Sequence, residues 1–367
     1  MIPPTWLSLG SLLFPLGLSP GDAIPRQQAL YLAAQYYDRA EDYPLALARY
    51  SDFASDGTTP TSERLEAMHR MTELYTMQGD TIQQKEWLTR IVAEHESQSE
   101  ATERSIYLAA KSSSALAQYD FEHFSSLPLD YPLKQSLKAK KKAMQQTLAA
   151  YQATAAYGVE QYVTLSSYRI AQVYQQLSAD LMHSPRPRNI DALALEQYEM
   201  MLEEQAFPFE EKAIALHETN ARRSWEGIYD EWVKASFVAL SELLPARYGK
   251  TETGEGDSVE PEQGWFSQAL VSDEKQLAAF NRYGIYLRES GRFDEAEQAY
   301  LSALDISAEF PDTHRNIAVL YDLYLGEQEQ ALQHYHRYQQ LTQAQNQDVQ
   351  RWIVDLERQL TRVVKGG

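Results

Sequence analysis

The chain has 367 residues and no cysteine, and its 33 basic against 52 acidic residues leave a net charge of -19. The missing cysteine removes disulfides, thiolate metal sites, cysteine nucleophiles and lipidation at an N-terminal cysteine. The negative charge repels phosphate backbones and argues against nucleic acid as a partner, while the length is long for one compact core but ordinary for a stack of repeated units.

In chain order, residues 1–27 come first. Trp6 to Leu18 is apolar, contains Pro15 and is too short to span a bilayer, and Gly21-Asp22-Ala23 offers a small-x-small cleavage site. An export signal ending before Ile24 is one reading, although no Lys or Arg precedes the run; a loop from a longer parent or a mis-set start codon are the others, and no integral membrane span is expected anywhere. Residues 28–248 form a helical body. Leu30, Ala33, Ala34 and Tyr37, then Ala46, Tyr50 and Phe53, have the spacing of two helices of one hairpin. Met71, Thr72, Tyr75, Gly79, Leu88 and Ile91 make a weaker second hairpin beyond the loop Ser55 to Pro60.

The middle stays helical without a strict period. Helices are predicted over Ser105 to Tyr119, Lys134 to Ala156 and Val159 to Leu181, with breaks at Leu127 to Pro132 and Ser184 to Arg188. Asp191 caps a run to Glu204, Pro208 opens a separate helix through Asn220, and Ile228 to Leu244 ends before Pro245. Residues 249–263, GKTETGEGDSVEPEQ, are poor in apolar side chains and read as an acidic flexible linker. Residues 264–367 are then a separate C-terminal module.

That module writes one helical hairpin twice. Phe280, Tyr283, Gly284 and Leu287 with Ala296, Tyr300 and Ala303 are followed by His314, Ile317, Ala318 and Tyr321 with Ala331, Tyr335 and Tyr338. Gly284 and Ala318 are 34 positions apart, the period of the tetratricopeptide repeat. Two helices cross closely only where small side chains allow it, so Gly284 with Ala296 and Ala318 with Ala331 mark the crossings. Gly291 suits a left-handed helix end and Asp294 the cap of the next helix, and the second copy carries one extra residue, assigned to the turn at Gly326. A last helix, Asp348 to Val363, would cover the second repeat with Trp352, Ile353 and Leu356. The fold class is therefore all-α, a tetratricopeptide-like solenoid with an irregular helical middle and a capped C-terminal pair.

No HExxH, GxSxG, GxxxxGK[ST] or strand-borne GxGxxG occurs, so no catalytic residue, cofactor or metal is assigned. His334 and His336 are two apart on a helix and face different ways, and Gly256-Asp257-Ser258 sits in the linker without a strand before it. Glu203, Glu204, Glu210 and Glu211 around Phe207-Pro208-Phe209 read first as helix-end charges. An enzyme with its site around Glu203 to Glu218 is the alternative. Lys134, Lys138, Lys140, Lys141 and Lys142 read as a solvated face, and Trp225, Tyr229 and Trp232, at spacings of four and three, as one packed helix face.

The candidate binding site is the repeat groove: Asn281, Ile285, Arg288 and Glu289 from the first inner helix, Arg315, Val319 and Asp322 from the second. Repeats that clamp chaperone C-termini carry lysine and asparagine at the first two groove positions. Asn281 and Ile285 stand there instead, which excludes that clamp and leaves a protein or peptide ligand of another sequence.

The runs PLKQSLKAKKKAMQQTLAAYQATAAYGV (Pro132 to Val159), ALALEQYEMMLEEQAFPFEEKAIALHETNARR (Ala192 to Arg223) and GIYDEWVKASFVALSELLPARYGK (Gly227 to Lys250) resemble the C-terminal half of large bacterial tetratricopeptide-repeat proteins. The resemblance covers about Gln28 to Leu360. It implies an exported, non-enzymatic scaffold or adaptor, periplasmic or envelope-associated, alongside TonB/ExbB-type energy-transduction or gliding-type modules. A cytoplasmic location is the alternative.

Overall fold

The computed structural model describes residues 25–188, 190–254 and 273–366. The apolar N-terminal run and Gly256-Asp257-Ser258 lie outside the described residues. Every regular element among the described residues is helical: α1 (Arg26–Arg39), α2 (Tyr43–Ala54), α3 (Thr61–Gln78), α4 (Thr81–Glu96), α5 (Glu103–Ser126), α6 (Leu133–Ala155), α7 (Glu160–Met182), α8 (Ala192–Ala221), α9 (Glu231–Leu243), α10 (Pro245–Tyr248), α11 (Asp273–Glu289), α12 (Phe293–Ile306), α13 (Pro311–Val319), α14 (Gln328–Leu341) and α15 (Gln347–Gly366). Neighbours in sequence pair as antiparallel hairpins, the tetratricopeptide-like, all-α architecture that the spacing predicts. The chain divides into two compact units, residues 1–127 with 137–166 and residues 128–136 with 167–367.

In the first unit, α1 with α2 and α3 with α4 are successive hairpins. Ala34 and Ala46 are fully buried at the first crossing, and Tyr50, Phe53, Leu65, Met71, Leu74 and Ile91 fill the space around it. Asp42 starts α2 by accepting from the Leu45 N–H, and Asp80 does the same for α4 at Gln83, 3.0 Å away. Gly79 closes α3 at φ 71, a left-handed conformation that glycine adopts without strain. Lys140 departs from the expected solvated face. Its side chain is buried, with Nζ donating to the Leu127 carbonyl at 2.6 Å and lying 4.8 Å from the centre of the Phe124 ring.

The second unit has one continuous core running through α9, α11, α12, α13, α14 and α15. Val233, Phe237 and Leu240 of α9 are buried together with Leu287, Phe293, Tyr300, Ile317, Tyr321 and Tyr335. The expected boundary at residue 249 therefore does not separate two bodies; the apolar face of α9 is buried against the C-terminal repeats. Trp352, Ile353 and Leu356 of α15 complete the same core, and Asn346 starts that helix by accepting from the Asp348 and Val349 N–H groups at 3.0 and 3.2 Å. Burying each such large side chain contributes about 1.5–3 kcal/mol.

Four local expectations are corrected. α8 is a single 30-residue helix with Pro208 inside it, because Pro208 lies on the exposed side, where the Glu204 carbonyl that loses its partner can meet water. The extra residue of the second repeat is absorbed before Gly326, by a π-helical stretch at Leu320–Leu325 that continues α13. Asp294 lies inside the first turn of α12, and the residue at the cap position, Arg292, makes no side-chain cap bond; Gly291 does take the left-handed φ of 75. Trp225, Tyr229 and Trp232 do not share a helix. Trp225 sits in the 3-10 turn Arg222–Glu226 and donates its indole N–H to the Leu323 carbonyl at 3.1 Å, Tyr229 packs on Phe293 and Tyr324, and Trp232 packs on Tyr168.

Candidate peptide-binding groove

The concave side of the C-terminal repeats is lined by α11 and α13, and it is filled. Gly249 still closes α10 by donating to the Pro245 carbonyl, and residues 250–254, which were expected to belong to a flexible linker, lie along the groove as a strap. The carbonyl oxygen of Thr251 accepts from Arg315 Nε at 3.0 Å, and Arg315 also reaches the Thr251 hydroxyl at 3.2 Å. Thr253 is clamped through its main chain. Its N–H donates to Asn316 Oδ1 at 2.7 Å, and its carbonyl accepts from Asn316 Nδ2 at 2.7 Å and from Asn281 Nδ2 at 3.2 Å. Asn316 Nδ2 and the Thr313 hydroxyl both donate to Asn281 Oδ1, at 3.1 Å each, so both amides are fixed before the strap is considered.

Side chains alternate as in an extended peptide. Lys250 and Glu252 point inward, whereas Thr251 is exposed. Glu252 accepts from Arg288, whose Nε is 2.9 Å away, and from the Tyr300 hydroxyl at 2.7 Å. Lys250 pairs with Asp322, which also takes Arg247 Nη1 at 2.6 Å and the Tyr335 hydroxyl at 3.3 Å. The side chains of Lys250 and Asp322 are 0% exposed and that of Glu252 is 5% exposed, so these charges have left water and depend on one another. Burial lowers the Lys250 ammonium to about 8 against the pull of Asp322. Burial likewise raises the Glu252 carboxyl above its usual range, with Arg288 and Tyr300 opposing. Burial works against the Arg288 guanidinium too, yet Glu252 holds it above its ordinary value, which is the direction expected of an intact ion pair.

Of the predicted groove residues, Asn281, Arg288, Arg315 and Asp322 all bond the strap segment. Ile285 packs beside Gly254, where an added Cβ would lie 3.4 Å from Ile285 Cδ1. Glu289 is peripheral and reaches only Arg288, at 3.4 Å, among its recorded partners, and Val319 is buried in the core rather than in the groove. Asn316, Tyr300 and Tyr335 were missed. The 34-residue ruler set from Asn281 lands on Arg315, one short of the asparagine that shares its task, and the two tyrosines were assigned to packing alone.

Elsewhere, His334 pairs with His314, Nδ1 to Nδ1 at 2.8 Å, and not with His336. Among the described residues no cluster of three or more His, Asp or Glu could hold a metal ion, and no helix is long and apolar enough to cross a membrane. Glu203, Glu204, Glu210 and Glu211 are exposed along α8. A cleft of the second unit, about 1320 Å³ beside Trp225, Arg247 and Arg358, shares Arg247 with the strap anchor but none of the predicted groove residues.

No family model matches this chain, and no curated protein matches it. Among solved structures it is similar to a chain in the crystal structure of an APC/C hetero-tetramer, Cut9-Hcn1, at 13% identity over 90% of this chain and 68% of that one, with a TM-score of 0.21. A likeness at that score carries no weight here, and the fold assignment rests on the helix hairpins themselves.

Proposed function

We propose that the protein is a non-enzymatic scaffold or adaptor that recognises protein partners through its repeat grooves, within a bacterial cell-envelope complex. The observation that carries the binding part is the strap. A segment in extended conformation is held by its main chain at Thr251 and Thr253 and by two inward side chains, which is how a groove reads a peptide. The envelope setting is supported by the resemblance of the middle helices to exported bacterial repeat proteins and by the apolar N-terminal run; a TonB/ExbB-type energy-transduction assembly is the partner that this resemblance suggests. The test is cross-linked capture from a bacterial envelope fraction with the full chain as bait. Recovery of a defined protein partner is the expected result, and a reproducible turnover lost on changing Glu210 or Glu211 would replace this reading with the enzymatic one.

A further inference from the structure

The filled groove also says what its ligand looks like. In the first unit the helix position four residues after the small crossing residue is Asp38, and its charge is met inside the groove: Arg70 of α3 donates to it at 2.7 and 2.9 Å, and the Tyr50 hydroxyl at 3.2 Å. The corresponding positions of the second unit are Arg288 and Asp322. The strap supplies Glu252 to Arg288 and Lys250 to Asp322, beside Glu289 of α11 for the former and Arg247 of α10 for the latter. A groove of this fold can thus close its own charges, and this one draws part of its pairing from the strap, at a positive and a negative site that are desolvated and met by strap residues two apart.

We infer that the groove between α11 and α13 is a recognition site for an extended peptide with a Lys-x-Glu-Thr pattern, and that Lys250 to Thr253 is an internal copy which a partner segment displaces. This rests on the scaffold reading above and specifies its ligand. Asp322 selects the lysine, Arg288 with Tyr300 selects the glutamate two residues on, and Asn281 with Asn316 holds the main chain of the following threonine, whose hydroxyl lies 3.5 Å from Asn316 Oδ1. The second position is the exposed one, and its hydroxyl meets Arg315 at 3.2 Å. The strap is joined to α10 at its start, so its local concentration is high, and a peptide in trans competes poorly until the strap is weakened.

The test is fluorescence anisotropy with a labelled peptide, Gly-Lys-Thr-Glu-Thr-Gly, that copies residues 249–254, titrated with the full chain. Glu252→Ala should bind it at least tenfold more tightly than the unmodified chain, and Thr253→Pro, which removes the N–H given to Asn316, should do the same. On either variant a peptide with Ala in place of Glu should bind at least tenfold more weakly, and adding Arg288→Ala should erase that difference. If the variants stay helical and bind neither peptide, or bind both equally, the inference is overturned. If both variants lose helical circular dichroism, the strap is a core element and the inference is overturned as well. A partner captured equally by the unmodified and Arg288→Ala chains would leave the scaffold reading standing and remove the groove as its site.

Discussion

The two grooves of this protein are built from the same hairpin and end in opposite states. In the first, Asp38, Arg70 and Glu73 neutralise one another at the wall of an open cleft of about 700 Å³, and Arg104 holds Glu66 at 2.6 Å beside them. In the second, the wall charges Arg288 and Asp322 take their shortest ion pairs from residues 247–252, and the space is taken. The tyrosine of the outer helix shows the switch plainly: the Tyr50 hydroxyl meets a wall carboxylate, whereas the Tyr300 hydroxyl meets a carboxylate of the strap. The lesson is energetic. A half-exposed pair such as Arg70 with Asp38 contributes little and can be broken cheaply, while a dry pair makes its occupant hard to remove.

Ending the chain at Gln347 should have the largest effect, since it removes Val349, Trp352, Ile353 and Leu356 from the core of the second unit. We expect the second unit to melt non-cooperatively while the first is unaffected; a sharp melt like that of the full chain would separate α15 from the core. Arg288→Ala should follow, at about 3–5 kcal/mol, because it strands Glu252 in a site closed to water. Its counterpart Arg70→Ala should cost no more than about 1 kcal/mol, and equal losses in denaturant melts would erase the contrast between the grooves.

Gly284→Ala should cost about 1–3 kcal/mol, because the new Cβ would stand 2.6 Å from Cδ1 of the buried Tyr300 ring and push it off Glu252. The corresponding residue of the first unit, Ala34, already carries a Cβ, so the reverse change Ala34→Gly tests helix propensity and a lost methyl instead. The last effect concerns acid. Burial lowers His217 and His334 to about 4, against 6.5 for the free side chain. The stability they contribute is complete above pH 6.5 and is lost as pH falls from there to about 4, because only the unfolded chain takes up the protons. His334→Gln should flatten that slope in the second unit, and an unchanged slope would mean that His334 does not contribute to it.

Much of this was legible in the sequence, and the losses have physical reasons. The small residues Ala34, Ala46, Ala296, Ala318 and Ala331 could be read as crossings because close packing admits nothing larger, and all five are fully buried. Asn281, Arg288, Arg315 and Asp322 could be placed in the groove because the helix period fixes which way they face. The strap was misread because its composition is that of a linker: Lys250, Glu252 and two threonines have no apolar surface to announce burial. What orders them is the complementary charge of residues more than 30 positions away, and local patterns carry no trace of that. Asn316 was lost because the 34-residue ruler puts Arg315 opposite Asn281, while the bond between the two amides is made by the next residue along α13.

The amide of Thr253 reports directly whether the strap is seated in solution, because its N–H donates to Asn316 inside the groove. Hydrogen exchange of the full chain at neutral pH should find that amide protected to the level of helix α11, with protection falling by at least tenfold in Asn316→Ala. Exchange at the rate of an open loop in the unmodified chain would contradict the filled groove and everything drawn from it.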